Sequence, residues 1–294
     1  MILVPTSDHP FYIWQSLVQM VSMEDLGLID ETRWLFYTAR MSDRLRKIVD
    51  SGIAQCVVLQ DWPRDKTYNP AMKPWQVGRW LNANKDYVDD NILVVDPDVI
   101  LTRKPTLVPR RGVLHGTDTN SYTGPQYLKS KNAFDSLCAI TGADPKEAEK
   151  YSGIGAQVAF TGMSGDWWED IAKLSIFAYK ELKKIPSPDG NPVQAWCAEM
   201  YVTQFVAIRD GIEPRTEPSM SMVWADGPVS SWDTCGFFHD AGQTKENPDH
   251  FCKLTHQVSP WGKNLAVSSN SASSKYVNLI QETAARYPSL VWYN

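Results

Sequence analysis

The chain has 294 residues, of which 43% are hydrophobic and 21% charged, and its formal net charge is −5 at pH 7. This balance is typical of a globular protein with a large core, and it excludes a whole-protein attraction to phosphate backbones or acidic membranes. No apolar run approaches a membrane span, the N-terminus lacks a signal-peptide pattern, and the five cysteines form no CxxC pair. We therefore expect reduced thiols, a cytoplasmic location and no membrane partner.

Strands and helices alternate through roughly the first hundred residues. The periodicity predicts strands at 2–7, 33–38, 53–60 and 91–96. The helices between them are predicted to follow Pro10 and to lie at 41–50 and 73–84. Ser7 or Asp8 is the expected cap of the first helix. Such alternation predicts parallel strands covered by helices, with ligands at the carboxyl ends of the strands. Several polar residues lie at these predicted strand ends: Thr6, Ser7, Asp61, Asp96 and Asp98.

The rest of the chain is less regular. "GIGAQVAFTG" (153–162) predicts a glycine-rich turn and then a strand, and two long helices are predicted at 165–185 and 192–212, with residues 187–192 between them. A final helix is predicted at 274–287. The 153–157 segment lacks the third glycine of a dinucleotide fingerprint, so we interpret it as a tight loop that lets backbone approach a ligand.

Asp96-Pro97-Asp98 interrupts the apolar run 92–101. Residues i and i+2 of an extended chain point to the same side, and adjacent carboxylates need a cation or protons. The motif alone leaves two interpretations open: a turn with solvated acids, or an oxygen site for Mg²⁺ or Mn²⁺. Phosphotransferases of the haloacid-dehalogenase type also have DxD after an apolar strand. Their motif normally lies on the first strand with Thr or Val where this chain has Ile100, so we rank that interpretation lower.

Two later residues are candidates for chemistry. His239 in "FFHDAG" (237–242) lies between an apolar pair and a glycine-containing turn, which suits a further metal ligand or a packed histidine. Glu199 in "AWCAEMY" (195–201) is a carboxylate in an apolar helical segment, which suits an acceptor cleft, an internal salt bridge or a solvated stripe of the helix.

"NILVVDPDVILTRKP" resembles the strand–DxD–strand segment of nucleotide-sugar glycosyltransferases of the GT-A fold. Together with "AWCAEMYVTQFVAIRDGI" and "GFFHDAG", its order is similar to peptidyl hydroxyproline arabinosyltransferases and peptidyl serine galactosyltransferases. "KPWQVGRWL" and "GIGAQVAF" also resemble family features, and the likeness covers most of residues 1–245. It implies an α/β fold with a GT-A (Rossmann-like) mixed sheet flanked by helices in a single domain, 1–294. Within it we expect a nucleotide-sugar half at about 1–115, an acceptor half at about 116–245 and a closing segment at 246–294.

The resemblance also implies roles for individual residues. Asp96 and Asp98 would hold Mn²⁺ or Mg²⁺ against the diphosphate of a sugar donor, expected to be UDP-linked, and His239 would be a further ligand. Donor contacts would come from Thr6, Ser7, Lys73, Arg79, Gly155 and Gln157. Glu199 would act near the acceptor, with Asp98 as the second catalytic residue, and the transferred pentose or hexose would retain its configuration.

The resemblance says less about which acceptor receives the sugar. The resembling plant enzymes carry a membrane anchor, which this sequence lacks, so we expect a different acceptor, a hydroxymethylated pyrimidine in phage DNA. The twelve tryptophans and the basic pairs Arg103-Lys104 and Arg110-Arg111 suit a base-modifying enzyme. The alternatives are peptidyl hydroxyproline or serine, a small-molecule hydroxyl, or a non-catalytic protein whose tryptophans stack on a glycan.

Overall fold

A computed structural model describes residues 1–60, 67–186, 190–242, 244 and 247–293. The strands in these residues are β1 (Ile2–Ser7), β2 (Thr32–Tyr37), β3 (Gln55–Leu59), β4 (Ile92–Val94), β5 (Val99–Leu101), β6 (Val113–Asp118), β7 (Ile154–Phe160), β8 (Glu213–Thr216), β9 (Met222–Trp224) and β10 (Phe237–His239). The helices are α1 (Pro10–Asp25), α2 (Asp43–Ser51), α3 (Met72–Ala83), α4 (Asn120–Thr123), α5 (Pro125–Ser130), α6 (Phe134–Thr141), α7 (Pro145–Ala148), α8 (Gly165–Leu182), α9 (Ala198–Arg209) and α10 (Ala272–Arg286). Asp61 and part of the predicted 187–192 loop lie outside the described residues.

The chain divides into two compact units. We call residues 2–60, 95–107 and 219–294 the terminal unit, and residues 61–94 and 108–218, with Met1, the central unit. Among the described residues, no helix is both long and apolar enough to cross a membrane.

The terminal unit contains a parallel arrangement and a small second sheet. Strands β1, β2 and β3 pair in parallel in the order β3-β2-β1. In the small sheet, β10 lies between β5 and β9, antiparallel to β5 and parallel to β9. Helix α1 packs on β1, β5 and α10, so nearly its whole circumference is buried, as its apolar sequence requires.

Helix α1 begins differently from the prediction. His9, not Ser7 or Asp8, is its capping residue, with Nδ1 accepting a hydrogen bond from the Phe11 N–H at 3.3 Å. Asp8 is engaged elsewhere, because its carboxylate accepts hydrogen bonds from the backbone N–H and the hydroxyl of Ser42.

The central unit holds the strands in the order β4-β7-β6-β8. Strand β7 is antiparallel to β4 and β6, whereas β8 is parallel to β6. Helices α3, α8 and α9 pack against one another in succession. Gly78 allows the close crossing of α3 and α8, because a Cβ there would lie 2.7 Å from the Gly165 carbonyl oxygen.

The predicted fold class is confirmed: parallel and antiparallel strands form a mixed sheet arrangement flanked by helices. Besides the cap of α1, two further local predictions were wrong. The helix predicted at 192–212 begins only at Ala198, after a 3₁₀ turn at Ala195–Cys197. The turn predicted at 153–157 is part of β7 from Ile154 onward. Its glycines misled the sequence interpretation, although the strand is irregular there, with Ala156 at φ 55°.

Candidate active site

The Asp96-Pro97-Asp98 segment is a turn that leads into β5, and a buried glutamine fixes it. The Val99 N–H donates to the Asp96 carbonyl at 3.2 Å. From α1, Gln19 Nε2 donates to the carbonyls of Asp96 at 2.9 Å and Val99 at 2.7 Å. Trp34 Nε1 in turn donates to Gln19 Oε1 at 3.0 Å. Because Gln19 is fully buried, these hydrogen bonds hold the turn rigidly beneath the two carboxylates.

Strand pairing brings His239 to Asp98. In the antiparallel β5–β10 pair, His239 lies opposite Val99, the residue that follows Asp98. The His239 Nε2 atom is 3.4 Å from Asp98 Oδ2, and the two side chains are 12% and 15% exposed. Trp224 packs against the imidazole, with ring centroids 5.1 Å apart. Asp98 and His239, which are far apart in the sequence, are therefore neighbours in the structure.

Lys253 is the third member of this cluster, and sequence reasoning missed it. Its ammonium donates a hydrogen bond to Asp98 Oδ2. Asp240 positions the lysine, because its carboxylate accepts the Lys253 N–H at 2.7 Å and the Gly242 N–H at 3.0 Å. We call Asp98, His239, Lys253 and Asp240 the acidic cluster.

The charges of the acidic cluster act directly on one another. Burial alone would raise the pKa of Asp98, but the attraction of Lys253 and then of His239 outweighs it and holds that pKa well below its usual range. Burial likewise opposes the charge on Lys253, yet the carboxylate of Asp98 raises the pKa of the ammonium. Burial raises the pKa of Tyr12, and the charge of Asp98 raises it further. The cluster therefore holds an ionised carboxylate and an ammonium in a partly dry site.

A divalent cation fits one side of this cluster. Asp98 Oδ1 is buried and has no hydrogen-bond partner in the described part of the chain, and the same holds for His239 Nδ1. Within those residues, no group of three or more His, Cys, Asp or Glu side chains is placed to hold a metal ion. Asp98 Oδ1 is therefore the carboxylate oxygen open to a cation, because Oδ2 already faces the Lys253 ammonium and His239 Nε2. Mg²⁺ is commonly held in this way, by one or two carboxylates with substrate phosphates and water.

The residues predicted to contact the nucleoside lie at the end of β1. Thr6 is only 4% exposed, and its hydroxyl is 3.2 Å from the Ser16 hydroxyl. Ser7, the next residue, is half-buried. Of these two hydroxyls, that of Ser7 is therefore better placed to meet a ligand.

In the central unit, Lys73 and Glu199 form a second buried carboxylate–ammonium pair. Lys73 Nζ is 3.3 Å from Glu199 Oε2, and the side chains are 13% and 8% exposed. Lys73 Nζ also donates to the Ala156 carbonyl at 3.0 Å. Ala156 has a left-handed backbone that is uncommon for a residue with a Cβ, and such strain is concentrated at functional sites. The salt-bridge interpretation of Glu199 is therefore correct, and it leaves the acceptor interpretation open.

The other predicted donor contacts in this unit have different surroundings. Gln157 is fully buried, with its Oε1 3.3 Å from the Thr117 hydroxyl. A Cβ on Gly155 would lie 2.2 Å from Met200 Cε, so this glycine is explained by close packing. Arg79 is exposed on α3.

An aromatic group flanks Glu199. The Tyr68 hydroxyl accepts the Glu199 N–H at 2.9 Å and donates to the Trp196 carbonyl at 2.5 Å. The Tyr68 ring stacks on Tyr179 at 4.6 Å and meets Trp196 edge-on at 6.2 Å. Trp196 is nevertheless 64% exposed. An exposed indole three residues before a buried carboxylate is unusual and offers a flat surface for stacking.

No family profile matches the chain, and no curated protein matches its sequence. Among solved structures, the galactosyltransferase LgtC in complex with donor and acceptor sugar analogs is similar over 99% of both chains, with a TM-score of 0.51 and 12% identity. An active-site mutant of LgtC is similar over the same shares, with a TM-score of 0.50 and 13% identity. The glycosyltransferase GlyE of Streptococcus pneumoniae TIGR4 is similar over 98% of this chain and 62% of its own, with a TM-score of 0.51 and 9% identity. At these identities the likeness shows the fold, which is the GT-A fold of glycosyltransferases.

Proposed function

We propose that the protein is a glycosyltransferase that moves a sugar from a nucleotide diphosphate sugar to an acceptor hydroxyl. The observation that carries the proposal is the meeting of Asp98 and His239 at a fixed turn within a GT-A fold. Within the described residues, Asp98 Oδ1 is buried without a hydrogen-bond partner, which is costly for a carboxylate oxygen and suits a hard cation. A non-catalytic glycan-binding protein would not need this arrangement.

The donor is proposed to be a UDP-sugar, bound together with Mn²⁺ or Mg²⁺. When bound, the cation supplies compensation for the charge that develops on the leaving diphosphate. Asp98 and His239 would hold it, Asp96 lies two residues away on the same turn, and the Ser7 hydroxyl is proposed to contact the nucleoside. The likeness to LgtC, whose structure contains donor and acceptor sugar analogs, supports a sugar donor.

Glu199 is the proposed catalytic carboxylate near the acceptor. Lys73 keeps it charged and oriented, and the Tyr68 hydroxyl fixes its backbone N–H. A fixed, partly desolvated carboxylate can stabilise positive charge on the sugar ring or take a proton from the acceptor. We propose retention of configuration, which the anomeric form of the product, measured by NMR, will test.

The proposed acceptor is a hydroxymethylated pyrimidine in DNA. The exposed Trp196 next to Glu199 supports it, because base–aromatic stacking holds a base without reading its sequence. Arg103, Lys104 and Arg110 are exposed and supply positive charge that could meet a phosphate backbone, whereas Arg111 pairs with Asp89. We also propose that residues 1–294 act as one catalytic domain, since the likeness to LgtC covers 99% of both chains. The five free cysteines support a cytoplasmic location.

The first experiment measures nucleotide release from a panel of nucleotide sugars with Mn²⁺, with Mg²⁺ and with EDTA. We expect slow release from one UDP-sugar that depends on the cation and is lost in Asp98→Asn. Asp226→Asn is the matched control, because Asp226 is an exposed aspartate of the same unit. If no nucleotide sugar binds at all, the proposed function is wrong. Release that is unaffected by EDTA would remove its metal requirement.

A second experiment identifies the acceptor. DNA containing 5-hydroxymethylcytosine, a hydroxyproline peptide, a serine peptide and a free disaccharide are each incubated with the donor and examined by mass spectrometry. We expect a gain of one sugar on the DNA. A gain only on a peptide or on the disaccharide would replace the DNA acceptor without affecting the glycosyltransferase proposal.

A further inference from the structure

Lys253 is a buried lysine without an assigned role in the proposed reaction. It is only 9% exposed, and its ammonium lies directly on Asp98 Oδ2. Burying an ammonium is costly, so such a lysine persists only where its charge is matched. Here it is matched by Asp98 first, and the carboxylates of Asp240 and Asp96 act in the same direction.

The position of this ammonium is built into the fold. Asp240 follows directly after β10 and is fully buried, and it holds the backbone N–H groups of both Gly242 and Lys253. The lysine side chain therefore starts from a fixed point and reaches the same carboxylate that His239 approaches. Asp98 thus has an internal cation on one oxygen, while its other oxygen lacks a hydrogen bond in the described residues.

A divalent cation on Asp98 would have to share the carboxylate with this ammonium. Two positive centres a few ångströms apart in a partly buried site repel strongly unless another anion joins them. A nucleotide diphosphate carries that negative charge. The cation and the diphosphate are therefore expected to enter as a pair, whereas the cation alone is disfavoured.

We propose that Lys253 is a resident counter-ion that holds Asp98 before ligands bind and makes divalent-cation binding depend on the nucleotide diphosphate. The inference rests on the function proposed above and concerns how that site is loaded. Lys253 is a positioning residue in this account. Replacing Lys253 with an uncharged residue is expected to raise the affinity for the cation alone. The nucleotide should then change that affinity less than it does in the wild type.

The test measures free Mn²⁺ by electron paramagnetic resonance in titrations of the full chain, with and without UDP. The wild type is expected to bind Mn²⁺ weakly alone and at least about tenfold more tightly with UDP, a usual size for coupling between two ligands. Lys253→Met keeps the aliphatic stem and removes the charge. It is expected to bind Mn²⁺ alone at least about tenfold more tightly than the wild type.

Three further proteins control the test. Lys263→Met removes an exposed lysine of the same unit and should behave like the wild type. The double variant Asp98→Asn with Lys253→Met removes both charges and should not bind Mn²⁺, which locates the gain at Asp98. Lys253→Gln retains a hydrogen-bond donor and should also gain Mn²⁺ affinity, so it serves if the methionine variant does not fold.

Thermal unfolding gives an independent reading. Lys253→Met should unfold at a lower temperature in EDTA, because an unpaired buried carboxylate remains, and Mn²⁺ alone should recover most of the loss. A lysine with only a structural role would give a loss that Mn²⁺ does not recover.

If the wild type binds Mn²⁺ alone as tightly as Lys253→Met and Lys253→Gln do, the inference is wrong while the proposed function stands. If no variant binds Mn²⁺ even with UDP, the metal requirement of the proposed function fails as well.

Discussion

Each unit of the protein buries a carboxylate beside a lysine ammonium, and the surroundings of the two pairs differ in kind. In the central unit, Lys73 is shared between Glu199 and the Ala156 carbonyl, and the Tyr68 hydroxyl holds the Glu199 backbone. In the terminal unit, Asp98 has Lys253 and His239 on one oxygen, and its other oxygen has no hydrogen bond in the described residues.

This difference suggests that the two carboxylate–ammonium pairs serve different purposes. Lys73 and the Tyr68 hydroxyl keep the Glu199 carboxylate charged and hold it in one orientation, which suits a group that acts on a substrate without moving. Around Asp98 a buried ligand atom remains available, which suits a site where one cation can take over from another. Substitutions in the two pairs should therefore differ in their effects on turnover, stability and metal affinity.

The largest effect is expected from Glu199→Gln. Turnover should fall about 1000-fold, within the range that a positioned carboxylate contributes, while the joint affinity for UDP and Mn²⁺ stays unchanged. The measurement is single-turnover sugar transfer alongside calorimetric titration of UDP with Mn²⁺. A parallel loss of nucleotide affinity would place Glu199 in the donor site and remove the distinction drawn here.

The second largest effect is on stability. Lys73→Met should lower the free energy of unfolding by about 3 kcal/mol, because it leaves Glu199 buried without its partner. Unlike Lys253→Met, this loss should not be recovered by Mn²⁺. The double variant with Glu199→Gln should recover most of it, since both charges are then gone. Chemical denaturation with and without Mn²⁺ checks all three proteins, and recovery of Lys73→Met by Mn²⁺ would make the two pairs equivalent.

The third prediction concerns the imidazole. His239→Ala should weaken Mn²⁺ binding in the presence of UDP about 30-fold, a size typical of disturbed metal surroundings. His250→Ala is the control, because His250 is a half-buried histidine of the same unit. Equal losses in the two variants would show that His239 only packs against Trp224 and that Asp98 holds the cation without it.

Part of this arrangement could be predicted from the sequence. The alternation of apolar runs located β1 to β4, and the Asp-Pro-Asp turn was recognisable because two acids interrupt a buried run. The partners of these residues were harder to predict, since they are set by tertiary contacts. Lys253 lies 155 residues from Asp98, and its backbone N–H is held by Asp240. The glycines of 153–157 indicated a turn, whereas Gly155 is explained by close packing against Met200 in a strand.

The smallest effect is expected at the edge of the central pair. Trp196→Ala should raise the KM for a hydroxymethylated DNA acceptor about tenfold, the range for loss of one stacked base. Donor hydrolysis without acceptor should be unchanged, because the indole is exposed, whereas Lys73 and the Tyr68 hydroxyl contact Glu199. Trp167→Ala is the matched control, a half-buried tryptophan of the same unit. If Trp196→Ala instead lowers donor hydrolysis, Trp196 supports the Tyr68–Glu199 contact, and the surface for the acceptor lies elsewhere.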